Sequence, residues 1–171
     1  MDITRLAIGN ILGFMASVLM VFAGCIKSKK KIIFWQTVEV ILAGIGYFVL
    51  GSYVAAANMG IGSIRNVLCY KDRLTFVAKI VLAVLYAVLS FAFNNVGWIG
   101  IALLIGSVAS LFIIDIKNVV LFKFLGMCGM FVWAVHDFSV QSYVAFIFDI
   151  GTIVALAVSM FQIKKTVKLK N

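Results

Sequence analysis

Cys25-Ile26-Lys27-Ser28-Lys29-Lys30-Lys31-Ile32 sets four lysines between two long apolar runs, Leu6–Ile26 and Ile32–Leu50. At a rise of about 1.5 Å per residue, about 20 apolar residues cross a hydrocarbon layer of roughly 30 Å, so each run matches one crossing. The lysines between them mark a single face of a bilayer. Five more runs follow: Tyr53–Tyr70, Leu74–Phe93, Val96–Ile114, Val119–Val135 and Tyr143–Ile163. Continuous apolar stretches point to helices, since lipid admits only helices or closed barrels and barrel strands alternate. Small and polar residues dilute the third run (Ala55 to Ala57, Asn58, Gly60, Gly62, Arg65, Asn66), which places it centrally, where backbones approach closely.

The rest of the composition agrees. Of 171 residues, 64% are hydrophobic and 12% charged, proline is absent, and the mean hydropathy is +1.16. No soluble domain of this length hides so much apolar surface, which excludes a soluble enzyme, a nucleic-acid-binding domain and a disordered chain. The formal charge of +9 is spent between the apolar runs, not on a nucleic-acid surface. Cys25, Cys69 and Cys128 form no CxxC and read as small apolar residues.

Charge placement gives direction. Lys27, Lys29, Lys30 and Lys31 follow the first run, Lys71 and Arg73 the third, Lys117 the fifth, and Lys164, Lys165, Lys168 and Lys170 the seventh. The links after runs two, four and six carry no Lys or Arg. With Arg65, Lys79 and Lys123 near the same face, 14 of 15 basic residues share one side, and only Arg5 lies opposite. The positive-inside rule makes that side cytoplasmic, with the N-terminus outside. Phe22-Ala23-Gly24-Cys25 faintly resembles a lipoprotein cleavage box, but a signal carries its positive charge before the apolar run, not after it.

A shift of 90 residues aligns Ser52-Tyr53-Val54-Ala55 with Ser142-Tyr143-Val144-Ala145. The same shift pairs Ile11, Ser17, Val18, Phe22, Ile26, Lys27, Phe34 and Phe48 with identical residues, 12 identities in the 45 positions from Ile11 to Ala55. The expected architecture is an all-α polytopic membrane protein of seven helices. It is a single membrane domain with triple-helix units at 5–72 and 96–164, a linker helix at 73–95 that keeps them parallel, and a basic cytoplasmic tail at 165–171.

Polar groups within apolar runs are costly in lipid and mark candidate sites. Glu39 and Arg65 lie at similar depth on neighbouring helices and are expected to pair, either as a helix-locking bridge or in a solute or proton role. The 90-residue shift sets Asn58 against Phe148, next to Asp149, so both polar groups are expected to face the seam between the units. His136 and Asp137 end the sixth run just after Trp133 and read as an interfacial cap or gate. Spacing alone supports neither a Ser–His–Asp relay nor, with a single His, a metal site. Trp35, Trp98 and Trp133 lie near run ends, as aromatic-belt residues do.

Ser63-Ile64-Arg65-Asn66, Trp133-Ala134-Val135-His136-Asp137-Phe138 and Asp149 resemble the YgjV-type bacterial inner membrane proteins over nearly the whole chain. Asp137 and Asp149 stand where that family carries Asn and Glu. The plan also resembles the wider group of SWEET sugar transporters, PnuC-type vitamin transporters, PQ-loop proteins and KDEL receptors. That likeness implies that Asn58 faces a substrate, while the missing Pro-Gln motif and the carboxylate at Asp149 argue against carrying over sugar specificity. The expectation is an inner-membrane, multi-pass carrier of a small polar solute, or else a non-transporting receptor or assembly partner. Neither catalysis nor a cofactor is expected, and Asn58, Arg65, Asn66, Trp133, His136, Asp137 and Asp149 line the solute path. The bilayer is its main partner, self-association into a homo-oligomer is open, and nucleic acid is excluded.

Overall fold

A computed structural model describes residues 2–24, 29–113, 116 and 118–168. Cys25, Lys27, Lys117 and Lys170 lie outside the described residues, as do the side chains of Lys29, Lys30, Lys164, Lys165 and Lys168. Among the described residues there are seven helices and no strand: α1 Ile3–Gly24, α2 Lys29–Val49, α3 Tyr53–Tyr70, α4 Phe76–Phe93, α5 Trp98–Ile113, α6 Val119–Ser139 and α7 Tyr143–Lys168. Each apolar run became one helix. Two entries are capped by the residue types that best replace the missing intrahelical acceptor. Thr75 accepts from the Ala78 N–H at 3.2 Å, and Asn118 accepts from Val120 at 3.0 Å and Leu121 at 3.1 Å.

Helix packing closes a ring in the order α1, α2, α3, α5, α6, α7 and back to α1, with α4 outside it against α3 and α5. The closest approaches rest on glycine. A Cβ on Gly46 would lie 3.3 Å from Leu12 Cβ and 3.4 Å from the Gly9 carbonyl, so α1 and α2 meet there with almost no side chain between them. Helices consecutive in sequence run antiparallel. The short turns at 50–52, 94–97 and 140–142 therefore share one end of the ring, here the hairpin end, and the last turns of α1, α3 and α5 share the other, the basic end.

Burial is inverted relative to a water-soluble bundle. Phe76, Trp98 and Phe161 are 70%, 71% and 75% exposed, whereas Asn58, Asn66, Lys79, His136 and Asp137 are buried. Apolar residues outside and polar ones within is the distribution a hydrocarbon solvent favours. By length and composition alone, Ile3–Phe22 and Phe76–Phe93 reach across a membrane, and Ile33–Val49, Trp98–Ile113 and Tyr143–Val158 are shorter apolar helices.

The turns after α2 and α6 are built alike. Leu50, Gly51 and Ser52 donate to Gly46 (2.9 Å), Phe48 (3.1 Å) and Tyr47 (2.9 Å), while Val140, Gln141 and Ser142 donate to His136 (3.0 Å), Phe138 (3.3 Å) and Asp137 (2.9 Å). Every bond in one turn has its counterpart 90 residues on. Both are Schellman closures with a left-handed residue, Gly51 at φ +81° and Gln141 at φ +60°. A Cβ on Gly51 would meet nothing within 4 Å, so only backbone strain opposes a side chain there. Gly51→Ala is expected to cost about 1–2 kcal/mol, and Gln141→Gly to recover up to about 1 kcal/mol, in reversible unfolding in detergent.

Candidate functional site

The ring encloses a cavity of about 730 Å³. All six ring helices line it, and α4 reaches it through Tyr86. Most of its wall is apolar or glycine; the polar groups fall into two tiers. Nearer the basic end stand Gln36, Glu39, Arg65, Asn66 and Ser110; nearer the hairpin end stand Tyr47, Asn58, Trp133, Asp137 and Asp149.

In the first tier the expected direct Glu39–Arg65 bridge is replaced by bonds to neutral oxygens. Arg65 Nη1 donates to Ser110 Oγ at 3.0 Å, and Nε and Nη2 donate to Asn66 Oδ1 at 3.3 and 3.1 Å. Glu39 feels the guanidinium's field but is not one of its hydrogen-bond partners. Arg65 thus links α3 to α5 and keeps part of its charge toward the cavity. The bridge to Ser110 was invisible in the sequence, because it joins residues 45 positions apart.

The second tier closes the hairpin end. His136 Nδ1 donates to Asp137 Oδ1 at 2.9 Å, His136 Nε2 lies 2.7 Å from Ser52 Oγ, and the Tyr47 hydroxyl donates to Asp137 Oδ2 at 3.0 Å. Ser52, His136 and Asp137 are 0%, 0% and 1% exposed. The expectation that His136 and Asp137 form an interfacial cap is corrected here: α6 runs on to Ser139, and both sit inside the bundle. Trp133 is corrected likewise. It is no belt residue but packs on Tyr47, ring centroids 5.8 Å apart and 27° between planes, and edge-on to His136 at 5.7 Å.

The Ser52–His136–Asp137 chain has the atom order of a hydrolase relay, an arrangement that spacing alone had not supported. Almost fully buried, it binds α3 to α6. Ser52 begins α3 yet makes no side-chain cap to it, its hydroxyl being turned to His136 instead. Two further pins cross the same end. Asn95 Nδ2 donates to the Gly51 carbonyl, and Asn10 Nδ2 donates to the Gln141 carbonyl at 3.1 Å while its Oδ1 accepts from Val144 at 3.3 Å. Gly51 and Gln141 are again 90 residues apart. At the other end the wall includes exposed Val21 and Gln36, so the cavity is shut at the hairpin end and accessible at the basic end.

Asn58, Arg65, Asn66, Trp133, Asp137, Asp149 and Glu39 all line the cavity; His136 stands behind the wall as part of the closure. Tyr47, Ser52, Ser110, Asn10 and Asn95 were not anticipated. Ser52 lies in the Ser-Tyr-Val-Ala string that recurs 90 residues on, and Tyr47 stands 90 residues before Asp137, so that shift was the signal that could have found both.

No curated protein and no solved structure matches the chain. A polar cavity inside an apolar shell nonetheless has a natural home in lipid. The family model for Imp-YgjV, bacterial inner membrane protein, matches residues 7–167, and the chain belongs to that family.

Proposed function

We propose that the chain is a multi-pass inner-membrane carrier of a small polar solute, working by alternating access between two parallel triple-helix units, 5–72 and 96–164, with α4 as the linker. The N-terminus and the hairpin end face the periplasm; the basic end and the C-terminus face the cytoplasm. One observation carries this reading: a cavity with charged and amide groups on its wall, closed at one end by side-chain bonds and reachable from the other. The matching turns 90 residues apart support the paired units.

The closure is of a strength that can cycle. Tyr47–Asp137 and Ser52–His136 join the two units, and a net hydrogen bond is worth about 0.5–1.5 kcal/mol, roughly 1.5–3 where a charged group takes part. A few such bonds hold the opposite opening to a minor population on the order of a per cent or less, which a solute with higher affinity for that state can raise.

Purified protein in proteoliposomes, offered a library of small solutes, is expected to take up at least one class saturably. Absence of uptake together with absence of ligand-induced stabilisation across the library would sink the carrier reading. A tag after Asn171 that proved reachable from the periplasm would sink the orientation.

A further inference from the structure

We propose that the closed end of the cavity is a binding site for a small organic cation, an ammonium whose charged nitrogen lies near a hydrogen-bond acceptor such as a hydroxyl. The carrier reading supplies the cargo's role, but the site itself is defined by binding chemistry.

Two buried side-chain atoms among the described residues lack any hydrogen-bond partner: Asn58 Nδ2 and Asp149 Oδ2. Both residues line the cavity, from α3 and α7. Asn58 lies five residues past Tyr53 and Asp149 six past Tyr143, so they sit about 7.5 and 9 Å from the hairpin end. An amide nitrogen only donates and a carboxylate oxygen accepts, so the fitting occupant presents an acceptor to Asn58 and a donor or positive charge to Asp149. Unmet polar groups at membrane depth are costly, which gives such an occupant its binding energy.

The surroundings select the sign of the charge. Asp149 lies in the field of Asp137 and of Glu39. Arg65, twelve residues past Tyr53, stands about 18 Å from the hairpin end, and its guanidinium is turned to Ser110 and Asn66. The closed end is therefore the acidic end, whose field favours a cation over an anion. Trp133, six residues before Ser139, lies at the same depth, and its stacked pair with Tyr47 offers aromatic surface to a soft cation.

A bare metal ion fits less well. It needs oxygens, yet Asn58 Oδ1 already accepts from Ser90 at 3.5 Å, leaving an N–H toward the cavity. An anion would meet the acidic tier.

Choline, its uncharged isostere 3,3-dimethylbutan-1-ol, tetramethylammonium, sodium and succinate are the probes, measured by calorimetry and thermal shift on purified protein in detergent. Choline is expected to bind saturably and roughly a hundredfold more tightly than the isostere. Asp149→Asn is expected to erase that preference and Asp149→Glu to retain it, the second variant covering any misfolding of the first. Asn58→Ala is expected to abolish the advantage of choline over tetramethylammonium. Equal or tighter binding of the isostere, sodium or succinate, or no saturable binding of choline, overturns the proposal. Choline binding without uptake in proteoliposomes upholds the site and overturns the carrier reading. Uptake of an uncharged solute that survives Asp149→Asn upholds the carrier and overturns the site.

Discussion

Replacing His136 with alanine is expected to lower the unfolding free energy by about 2–5 kcal/mol, because it leaves two buried partners, Asp137 and Ser52, each short of a hydrogen bond, at roughly 1–3 kcal/mol each. The imidazole sits at the join of the closure, bonded to Asp137 on one side and to Ser52 on the other. Without it, Asp137 keeps only the Tyr47 hydroxyl and its contact with Asp149, and Ser52 loses its side-chain partner. Unfolding of the purified protein in mixed micelles checks the figure. A double-mutant cycle with Asp137→Asn should show strong coupling, because the second change removes the carboxylate that the first left stranded. Additive losses would mean that the two residues act independently and that the closure is misassigned.

Arg65→Ala is expected to cut uptake, once a transported solute is in hand, by a factor of roughly 30 to several thousand, the range that 2–5 kcal/mol of lost interaction implies. The guanidinium carries a positive charge to the cavity wall and fastens α3 to α5 through Ser110. Removing it unties that link and leaves Glu39 without its counter-charge. A merely structural charge pair behaves differently. Glu39→Gln combined with Arg65→Leu would then restore the stability lost in each single change, and transport would be untouched. In the site reading, the double variant regains little uptake, because without the guanidinium α3 is no longer fastened to α5 beside the cavity. Initial rates in proteoliposomes, normalised to folded protein, separate the two readings.

Much of this fold could be read from the chain because hydrophobicity is counted over about 20 residues at a time, and seven such counts found seven helices. The third run was bounded to the residue, Tyr53–Tyr70, because Gly51 and Ser52 before it and Lys71 after it are strong punctuation. The sixth was cut short at Val135, where polar residues begin, although the helix continues to Ser139. That error moved His136 and Asp137 to a surface they do not occupy. Hydropathy reports the average preference of a side chain, whereas burial of a polar one depends on partners it cannot see: Ser52 is 84 residues from His136, and Tyr47 is 90 from Asp137. The 90-residue shift set Asn58 beside Asp149 in the alignment, and both line the cavity and hold unpaired atoms there. The Glu39–Arg65 bridge failed for the converse reason, since nearness in depth says nothing of the neutral oxygens on α3 and α5 that reach the guanidinium first.

The helix that stands apart from the ring has a mechanical consequence. α4 turns Lys79, Leu82, Tyr86 and Ser90 inward along one stripe, two of them toward the cavity: the Tyr86 hydroxyl would lie 3.7 Å from a Cβ on Gly62, and Ser90 bonds Asn58. Its opposite flank, with Val84 and Val88, is open to the surroundings. Seated in the crease between α3 and α5, it must tilt whenever that crease widens or narrows. Whatever happens in the enclosed chamber is thereby displayed on the outside of the molecule, like the hand of a dial whose spindle passes through the wall.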